Sequence, residues 1–320
     1  MESQVVRAIL ESSTVQDVVK PQLDEDEGRP LVRATEQEKV LDVCTRLADS
    51  GVSSLPVFND EDECIGLVDF SDAVAYLLQM DWERIGSVPN TTHVWNELGK
   101  VPVAEAIDLS TRNPMVFISE NATLVEALKL FHDKGLRRAL VQDDENGNVI
   151  AVLSPSAVIQ YIMMNVQGRH DDVLSATVSE LEMGHSPVRS VNKSQSVLEA
   201  MHLMHQTRHS VVAVVDPSTD VLSGSISMSD IQYVFQEKRF SLLISSCWKY
   251  IVEARERSDM EVFPYFGVGE NDKLHAVISK LLATNVHHLY VVDENQVPQR
   301  VISFTDVCGI LFKFCTSGEE

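Results

Sequence analysis

The chain has 320 residues, a formal net charge of −22 and an apolar fraction of 44%. This length is enough for about two domains, each with a core of its own. The strong negative charge disfavours binding to nucleic acid or to an anionic membrane, because the long-range field repels phosphate. No apolar run reaches the roughly 20 residues that cross a bilayer. A small anionic ligand remains compatible with the composition wherever basic residues collect locally.

The five cysteines form no CxxC pair, and their odd number indicates reduced thiols in an intracellular protein. The N-terminus lacks the pattern of a secretory signal, so we expect a cytoplasmic protein that can also be nuclear. The acidic run at residues 24–27 is predicted to be a solvated loop. No GxxxxGK[ST], GxGxxG, GxSxG or HExxH motif occurs, and no nucleophile is paired with a base, so we expect no enzymatic activity.

One pattern occurs four times along the chain. Each copy has an amphipathic helix, two strands joined by a polar turn, and a second helix that three of the copies open with Ser-Asp or Thr-Asp. The first helices begin at Val40, Leu124, Val197 and Leu274. The matching positions in the second helices, 32 or 33 residues later, are Asp72, Ala157, Asp230 and Asp306. This agreement within one residue indicates a fourfold internal repeat.

Short elements are predicted ahead of three copies, at Val15–Val19, Val103–Ala106 and Val178–Leu181. The predicted N-caps of the later first helices, three residues before each apolar stripe, are Asn121, Ser194 and Asn271. A unit of this size cannot bury both faces of its sheet, so the units should pack in pairs. The sequence therefore predicts an α/β (α+β) protein of two modules, at residues 1–168 and 169–320.

The repeated unit resembles the cystathionine-β-synthase (CBS) motif, a βαββα unit in which strand-Ser/Thr-Asp leads into the last helix. Such motifs pair into Bateman modules. Four of them in a chain of this length resemble the gamma, nucleotide-sensing subunit of AMP-activated/SNF1-type protein kinases. The resemblance implies motifs at about residues 12–80 and 100–165 in one Bateman module, and at about 173–237 and 255–316 in the other.

In that family the aspartate at the helix start holds both ribose hydroxyls of an adenine nucleotide. The resemblance assigns this role to Asp72, Asp230 and Asp306, each preceded by a hydroxyl residue, Ser71, Ser229 and Thr305. Ala157 stands at this position in the second copy, and the kinase subunit likewise lacks the acid in its second motif. The family's phosphates are met by residues at the start of the first strand, here Arg137, Arg138, Arg208, Ser210, His287 and His288.

The chain departs from the kinase subunits at several of these positions. The first copy has Ser53 and Ser54 where those subunits have an arginine. His288 replaces an arginine in the fourth copy, and Arg137 replaces a histidine in the second. These changes affect the occupancy of single sites and the number of phosphates held, and not the fold.

The chemistry of the proposed acid is consistent with two roles. A carboxylate can accept a hydrogen bond from each hydroxyl of a diol, and the helix dipole keeps it ionised at a helix start. The same position is also that of an ordinary N-terminal cap, and one residue can serve both purposes. Adjacent strand residues point to opposite faces, so no metal site is predicted from His287 and His288.

The resemblance implies a regulatory gamma-type subunit of an SNF1/AMP-activated protein kinase that senses AMP, ADP and ATP. A catalytic kinase subunit and a scaffolding beta-type subunit would be its partners, and no cofactor is expected. One alternative is a free-standing CBS regulator that binds adenylates and controls another enzyme or a transporter. A second alternative is a structural interaction module that binds no ligand.

Overall fold

The computed structural model describes residues 4–23, 31–80, 91–166, 168–256 and 266–317. The loop predicted at residues 24–27 lies outside these described residues. Within them the four predicted units are present, each with a short first strand, a helix, two longer strands and a final helical segment.

The helices and strands follow the repeat in chain order. Before and within the first unit lie α1 (Val5–Ser12), α2 (Val15–Leu23), β1 (Ala34–Thr35), α3 (Val40–Ser50), β2 (Ser54–Phe58), β3 (Cys64–Asp69) and α4 (Phe70–Leu78). The second unit has α5 (Thr91–Leu98), a 3₁₀ turn (Val103–Ala106), β4 (Phe117–Ser119), α6 (Leu124–Lys134), β5 (Ala139–Gln142), β6 (Val149–Leu153) and α7 (Pro155–Val166).

The second half of the chain has the same order. The third unit has α8 (Asp172–Ser175), β7 (Ser190–Asn192), α9 (Val197–Thr207), β8 (Val211–Val215), β9 (Leu222–Ser227), a 3₁₀ turn (Met228–Ile231) and α10 (Gln232–Gln236). The fourth has a 3₁₀ turn (Phe240–Ile244), α11 (Cys247–Glu256), β10 (Gly267–Val268), α12 (Leu274–Ala283), β11 (His288–Val292), β12 (Pro298–Ser303) and α13 (Phe304–Thr316).

Each unit forms a three-stranded sheet with the same topology. The middle strand runs parallel to the short first strand and antiparallel to the last strand. In the first unit the register pairs Ser54 with Asp69, the residue just before α4. In the fourth unit it pairs His288 with Ser303, the residue just before α13. The start of each middle strand therefore lies beside the start of the final helix, which brings the predicted phosphate and ribose residues together.

The N-caps of the first helices differ from the prediction. Thr123 caps α6 and Ser196 caps α9, and each accepts a hydrogen bond from the backbone of a glutamate three residues later. Lys273 holds the cap position of α12 without a side-chain hydrogen bond. The apolar stripe begins at the first helical residue itself, so the cap directly precedes it and Asn121, Ser194 and Asn271 are not the caps.

The described residues fall into two compact units. One combines residues 1–32, 115–187 and 266–320, and the other combines residues 33–114 and 188–265. This division differs from the predicted boundary at residue 168. The reason is that final helices pack against helices of the motif two positions away in the chain. In one compact unit, α13 of the fourth motif packs on α6 and α7 of the second motif. In the other compact unit, α10 of the third motif packs on α3 of the first motif. The pairing of neighbouring motifs into Bateman modules stays a prediction.

The segment ahead of each motif, here called its leader, packs on a different motif inside one of these units. The Val15 N–H of α2, ahead of the first motif, donates to the Ala122 carbonyl of the second at 2.9 Å. The Val103 N–H, ahead of the second motif, donates to the Glu38 carbonyl of the first at 2.7 Å. The leaders of the third and fourth motifs bond in the same way to the fourth and third motifs respectively. Each motif therefore packs against the leader of a different motif.

Candidate functional site

All three predicted acids take part in a capping box, in which each acid lies at the third helical position and the N-cap residue is Asp69, Ser227 or Ser303. Asp72 accepts a hydrogen bond from the Asp69 backbone N–H at 2.9 Å. Asp230 and Asp306 accept the equivalent bonds from the backbone N–H groups of Ser227 and Ser303, both at 2.6 Å. The acids are therefore not the N-caps themselves but their reciprocal partners, and a role in ligand binding requires a carboxylate oxygen that remains within reach of a ligand.

Asp72 is closed to a ligand in this structure. Its side chain is fully buried, and besides the cap it accepts a bond from the Ser110 N–H and one from the Asn113 side-chain amide, each at 2.9 Å. Ser71 beside it is also buried. In this structure Asp72 does not offer an oxygen to a ribose, because both carboxylate oxygens already accept hydrogen bonds from the leader of the second motif.

Burial also changes the charge state of Asp72. Desolvation, and then the neighbouring Asp69 carboxylate, raise its pKa to about 7, although the bonds from Ser110 and Asp69 act in the opposite direction. A carboxyl group with this pKa is partly protonated near neutral pH. The group therefore lacks the fixed negative charge that makes a carboxylate a strong acceptor for a sugar diol.

Asp306 lies at a more open position and has a different partner. Its side chain is 9% exposed, and one carboxylate oxygen lies 2.7 Å from the Nε2 atom of His185. The other oxygen accepts from the Ser303 backbone and hydroxyl, each at 2.6 Å. The His185 side chain is 80% exposed, so the leader of the third motif reaches Asp306 from the solvent side.

The surroundings of Asp230 combine features of the other two. Its carboxylate accepts from the backbone and hydroxyl of Ser227, as Asp306 does from Ser303. The leader of the fourth motif contacts the Asp230 backbone, because its buried Tyr250 hydroxyl donates to the Asp230 carbonyl. Ser229 contacts Ser227 through the two hydroxyls at 3.1 Å. Asp230 is itself half-buried, so its carboxylate is closer to solvent than that of Asp72.

The predicted phosphate residues of the second and fourth motifs converge in one compact unit. Desolvation, followed by the positive charges of Arg138 and Arg137, lowers the pKa of His287 below its usual value, although part of its surface is open to solvent. The His287 ring also meets the ring of Phe304 edge-on, with centroids 6.0 Å apart. Because Phe304 is the first residue of α13, this basic cluster lies next to the helix start that carries Thr305 and Asp306.

The other unit brings together the basic residues of the third motif. Arg208 ends α9 in the left-handed conformation, with φ of 57°, and is exposed, and half-buried Ser210 follows it. Arg112, from the leader of the second motif, donates from Nη1 to the His209 carbonyl at 2.6 Å. Arg112 and Arg208 both act on His205, whose pKa is lowered first by desolvation and then by these and other positive neighbours.

Two leader residues, His185 and Arg112, were missed by reasoning from the sequence. They contact the parts of the motifs that carry the predicted site, yet they lie outside the strand-helix pattern on which that prediction was based. A signal does exist, because Arg112-Asn113-Pro114 and His185-Ser186-Pro187 place a basic residue two positions before a proline in equivalent leaders. Aligning the leaders as well as the motifs would have identified both residues.

The described ranges also bear on metal binding and membrane crossing. In this part of the chain no group of three or more His, Cys, Asp and Glu side chains converges to hold a metal ion. None of the helices described is long and apolar enough to cross a membrane.

Comparison with solved structures identifies the fold. The protein MJ1225 from Methanocaldococcus jannaschii, a proposed archaeal homologue of γ-AMPK, superposes with a TM-score of 0.70 at 17% identity. The match covers 93% of this chain and 99% of that protein. A conserved protein from Pyrococcus horikoshii gives a TM-score of 0.51 at 15% identity and covers 88% of this chain and 96% of its own. The four-motif architecture expected from the resemblance to the gamma subunit is therefore confirmed.

The chain is also similar in sequence to proteins named SDS23. Protein SDS23 of Kluyveromyces lactis is 26% identical, and the alignment covers 90% of this chain and 63% of the relative. Protein SDS23 of Candida albicans is 27% identical, with 83% of this chain and 49% of the relative covered. The chain thus spans about half to two thirds of the length of these curated relatives.

The family assignment rests on the repeats themselves. The CBS domain family matches residues 27–79, 104–164, 178–237 and 261–313, which together make up well over half of the chain. These ranges fall on the four units predicted from the spacing and described above. The chain belongs to the CBS domain family, with four CBS domains in tandem.

Proposed function

We propose that this protein is an adenine-nucleotide sensor that regulates a protein kinase as a gamma-type subunit of an SNF1/AMP-activated complex. AMP, ADP and ATP would compete for sites at the helix starts of the CBS domains. The ligands would shift the arrangement of the protein only by their difference in affinity for its alternative states. The proposal is built from the site around Asp306.

The observation that carries the proposal is the convergence of Arg137, Arg138 and His287 beside the start of α13. The two arginines come from the second motif and the histidine from the fourth, and they lie in the same compact unit as Asp306. A nucleotide needs an acceptor for its ribose hydroxyls and cations for its phosphates, within one ligand length of each other. These side chains supply both kinds of group.

The charge pattern of the chain favours the same interpretation. With a net charge of −22, random placement would surround most surface positions with acidic groups. Here desolvation lowers the pKa of His287 first, and the charges that act on it next, those of Arg138 and Arg137, are both positive. Such a local reversal of sign creates an attractive potential for an anion that the rest of the protein would repel. A neutral His287 would also gain a proton, and with it affinity, when a phosphate approaches.

The available interactions are large enough for useful affinity. A charge-assisted hydrogen bond contributes about 1.5–3 kcal/mol, and the arginines can make two or more of them to a phosphate. Micromolar binding corresponds to about −8 kcal/mol. Two or three such bonds together with burial of the adenine ring reach this value before the costs of association are subtracted.

Asp230 and Asp72 differ in what would have to change before a nucleotide could bind to them. Asp230 has the same serine cap as Asp306, and Arg208, Ser210 and Arg112 lie in its compact unit. Asp72 could hold a ribose only if the bonds from Ser110 and Asn113 were released, so ligand binding there would require the leader to move.

Isothermal titration calorimetry with AMP, ADP and ATP tests the proposal. We expect at least one binding event on the unaltered protein, and we expect Asp306→Asn or the pair Arg137→Gln and Arg138→Gln to remove an event without unfolding the chain. Glu126→Gln is the matched control. Glu126 caps α6 from the equivalent third helical position, is exposed, and has no part in the proposed site. No heat from any nucleotide would contradict the proposal and favour a structural module without ligand.

The kinase partnership needs a separate experiment. We expect affinity purification of the protein from its native source to recover a catalytic kinase subunit and a beta-type scaffold. Recovery of a different enzyme or a transporter, together with adenylate binding, would instead support a free-standing CBS regulator. The fold shared with a proposed γ-AMPK homologue motivates the first outcome.

A further inference from the structure

We propose that His185 is a positioning residue of the Asp306 site, where it holds the carboxylate oxygen that a ribose would need and yields it when ligand binds. This inference rests on the proposed function, because it describes the regulation of the same site. It makes nucleotide binding at Asp306 compete with a histidine-carboxylate ion pair and therefore couples binding to the release of a proton.

The backbone fixes His185 in place independently of its side chain. The His185 N–H donates to the Val301 carbonyl at 2.9 Å, and the Val301 N–H donates to the His185 carbonyl at 3.0 Å. A side chain at the preceding Gly184 would meet that same Val301 carbonyl at 2.9 Å, so the leader approaches β12 closely at this point. The imidazole can therefore leave Asp306 without the leader leaving the strand.

The geometry of the pair sets up the competition. Nε2 of His185 lies 2.7 Å from one oxygen of Asp306, whereas the other oxygen is used by the backbone and hydroxyl of Ser303. A diol bound to this carboxylate needs at least the oxygen that His185 holds. With 80% of its side chain exposed, His185 has solvent to rotate into when it gives up the pair, while Asp306 stays held by its bonds from Ser303.

The charges around the pair determine how it titrates. The hydrogen bond to Asp306, and then its negative charge, raise the pKa of His185 above the ordinary value. Burial acts to raise the pKa of Asp306, but the contact with His185 and the hydrogen bonds from Ser303 hold it below its usual value. The titratable or charged groups on the surrounding elements include Cys308 and Lys313 on α13, His132 on α6, Arg300 with its partner Glu270 beside β12, Glu182 on the leader, and His287 and His288 at the start of β11. Burial raises the pKa of Cys308, so this thiol stays protonated.

The direction of the pH effect follows from this linkage. While His185 is paired, its raised pKa keeps a proton bound at pH values where an isolated histidine would lose it. A ligand that takes Asp306 returns the pKa of His185 towards the ordinary value of about 6.5, so binding releases the proton. The affinity for the nucleotide should therefore rise with pH between the ordinary pKa and the raised pKa of His185. It should be weakest where the ion pair is fully formed.

Calorimetry with AMP between pH 5.5 and 8.5, repeated in buffers of different ionisation enthalpy, measures both the affinity and the proton release. For the unaltered protein we expect a proton to be released, and we expect affinity to increase with pH by more than the ionisation of AMP itself produces. His185→Ala should bind AMP more tightly at pH 6 and lose this additional pH dependence.

Two further variants separate a positioning role from a merely structural one. His185→Gln keeps a donor for Asp306 but cannot titrate, so it should lose the pH dependence while retaining part of the competition. His170→Gln is the matched control, because His170 is also exposed on this leader and lies 3.9 Å from a carboxylate oxygen of Asp172. This control should behave like the unaltered protein.

The outcomes distinguish the inference from the proposed function. If AMP binds with the same pH profile and proton release in His185→Ala as in the unaltered protein, the inference is wrong and the proposed function stands. If AMP binds to none of the proteins, both are overturned. NMR titration adds a test without ligand, since Asp306→Asn should lower the pKa of His185, and an unchanged pKa would rule out the ion pair.

Discussion

The carboxylate of Asp72 accepts a hydrogen bond from the backbone N–H of Ser110, a residue 38 positions later in the leader of the second motif, at 2.9 Å. A residue at the start of one motif's final helix thereby fixes the path of the chain into the next motif. The same helix position in the fourth motif contacts the exposed side chain of His185 instead. One repeated position thus holds a fully buried structural anchor in one copy and, in another, a carboxylate paired with an exposed histidine.

Asp72→Ala should lower the free energy of unfolding by about 3–5 kcal/mol, because it leaves three buried donors without their acceptor. Urea denaturation measures the change. Asp72→Asn keeps one acceptor oxygen and should cost less. If Asp72→Ala is as stable as the unaltered protein but loses an AMP-binding event, Asp72 serves the ligand and not the leader.

The buried carboxyl group also predicts a dependence of stability on pH. The folded state raises the pKa of Asp72 to about 7, so between its ordinary value of about 3.9 and this value the folded protein binds more protons than the unfolded chain. The contribution of Asp72 to stability is therefore lost progressively as pH rises from about 4 to about 7. Denaturation at several pH values should show the unaltered protein losing stability relative to Asp72→Asn, and a constant difference would contradict this assignment.

Gly66→Ala should destabilise the protein through the leader of the second motif. A Cβ atom at this position would lie 2.3 Å from Cγ2 of Ile107, so either the strand or the leader must move. We expect a loss of about 1–3 kcal/mol in the free energy of unfolding. Gly269→Ala is the control, because no atom lies within 4 Å of its added Cβ. The double variant with Ile107→Ala should recover stability, and failure to do so would show that the contact is not the cause.

Arg138→Gln should raise the pKa of His287, because it removes one of the two positive charges that oppose protonation of the imidazole. NMR titration of the histidine signals measures the change. Arg300→Gln provides a control, since Arg300 is paired with Glu270 and does not act on His287. An unaltered pKa of His287 in Arg138→Gln would show that the basic cluster does not exist in solution.

The repeated strands and helices could be predicted from the sequence because their signals are local. The apolar stripe and the final strand recur at nearly constant spacing, so the positions of Asp230 and Asp306 at the start of the final helical segments could be predicted from one copy to the next. The two- and three-residue first strands were not identified, since they are too short to show any periodicity.

The paths of the leaders could not be predicted in this way. The Val6 N–H donates to the buried Asp171 at 2.9 Å across 165 residues, and such a contact leaves no pattern in either segment. The same holds for Asp72 and Ser110, where the carboxylate looks like any helix cap until the leader is in place. Reasoning from the motif alone therefore assigned the three acids one role, whereas their partners outside the motif give them different accessibility.

A crystal structure of the protein with AMP tests the central claim most directly. We predict that the ribose hydroxyls lie within hydrogen-bond distance of Asp306, that His185 has turned away from it, and that the phosphate contacts Arg137 or Arg138. A structure in which Asp306 keeps its bond to His185 at saturating AMP, with no nucleotide beside α13, would contradict the account.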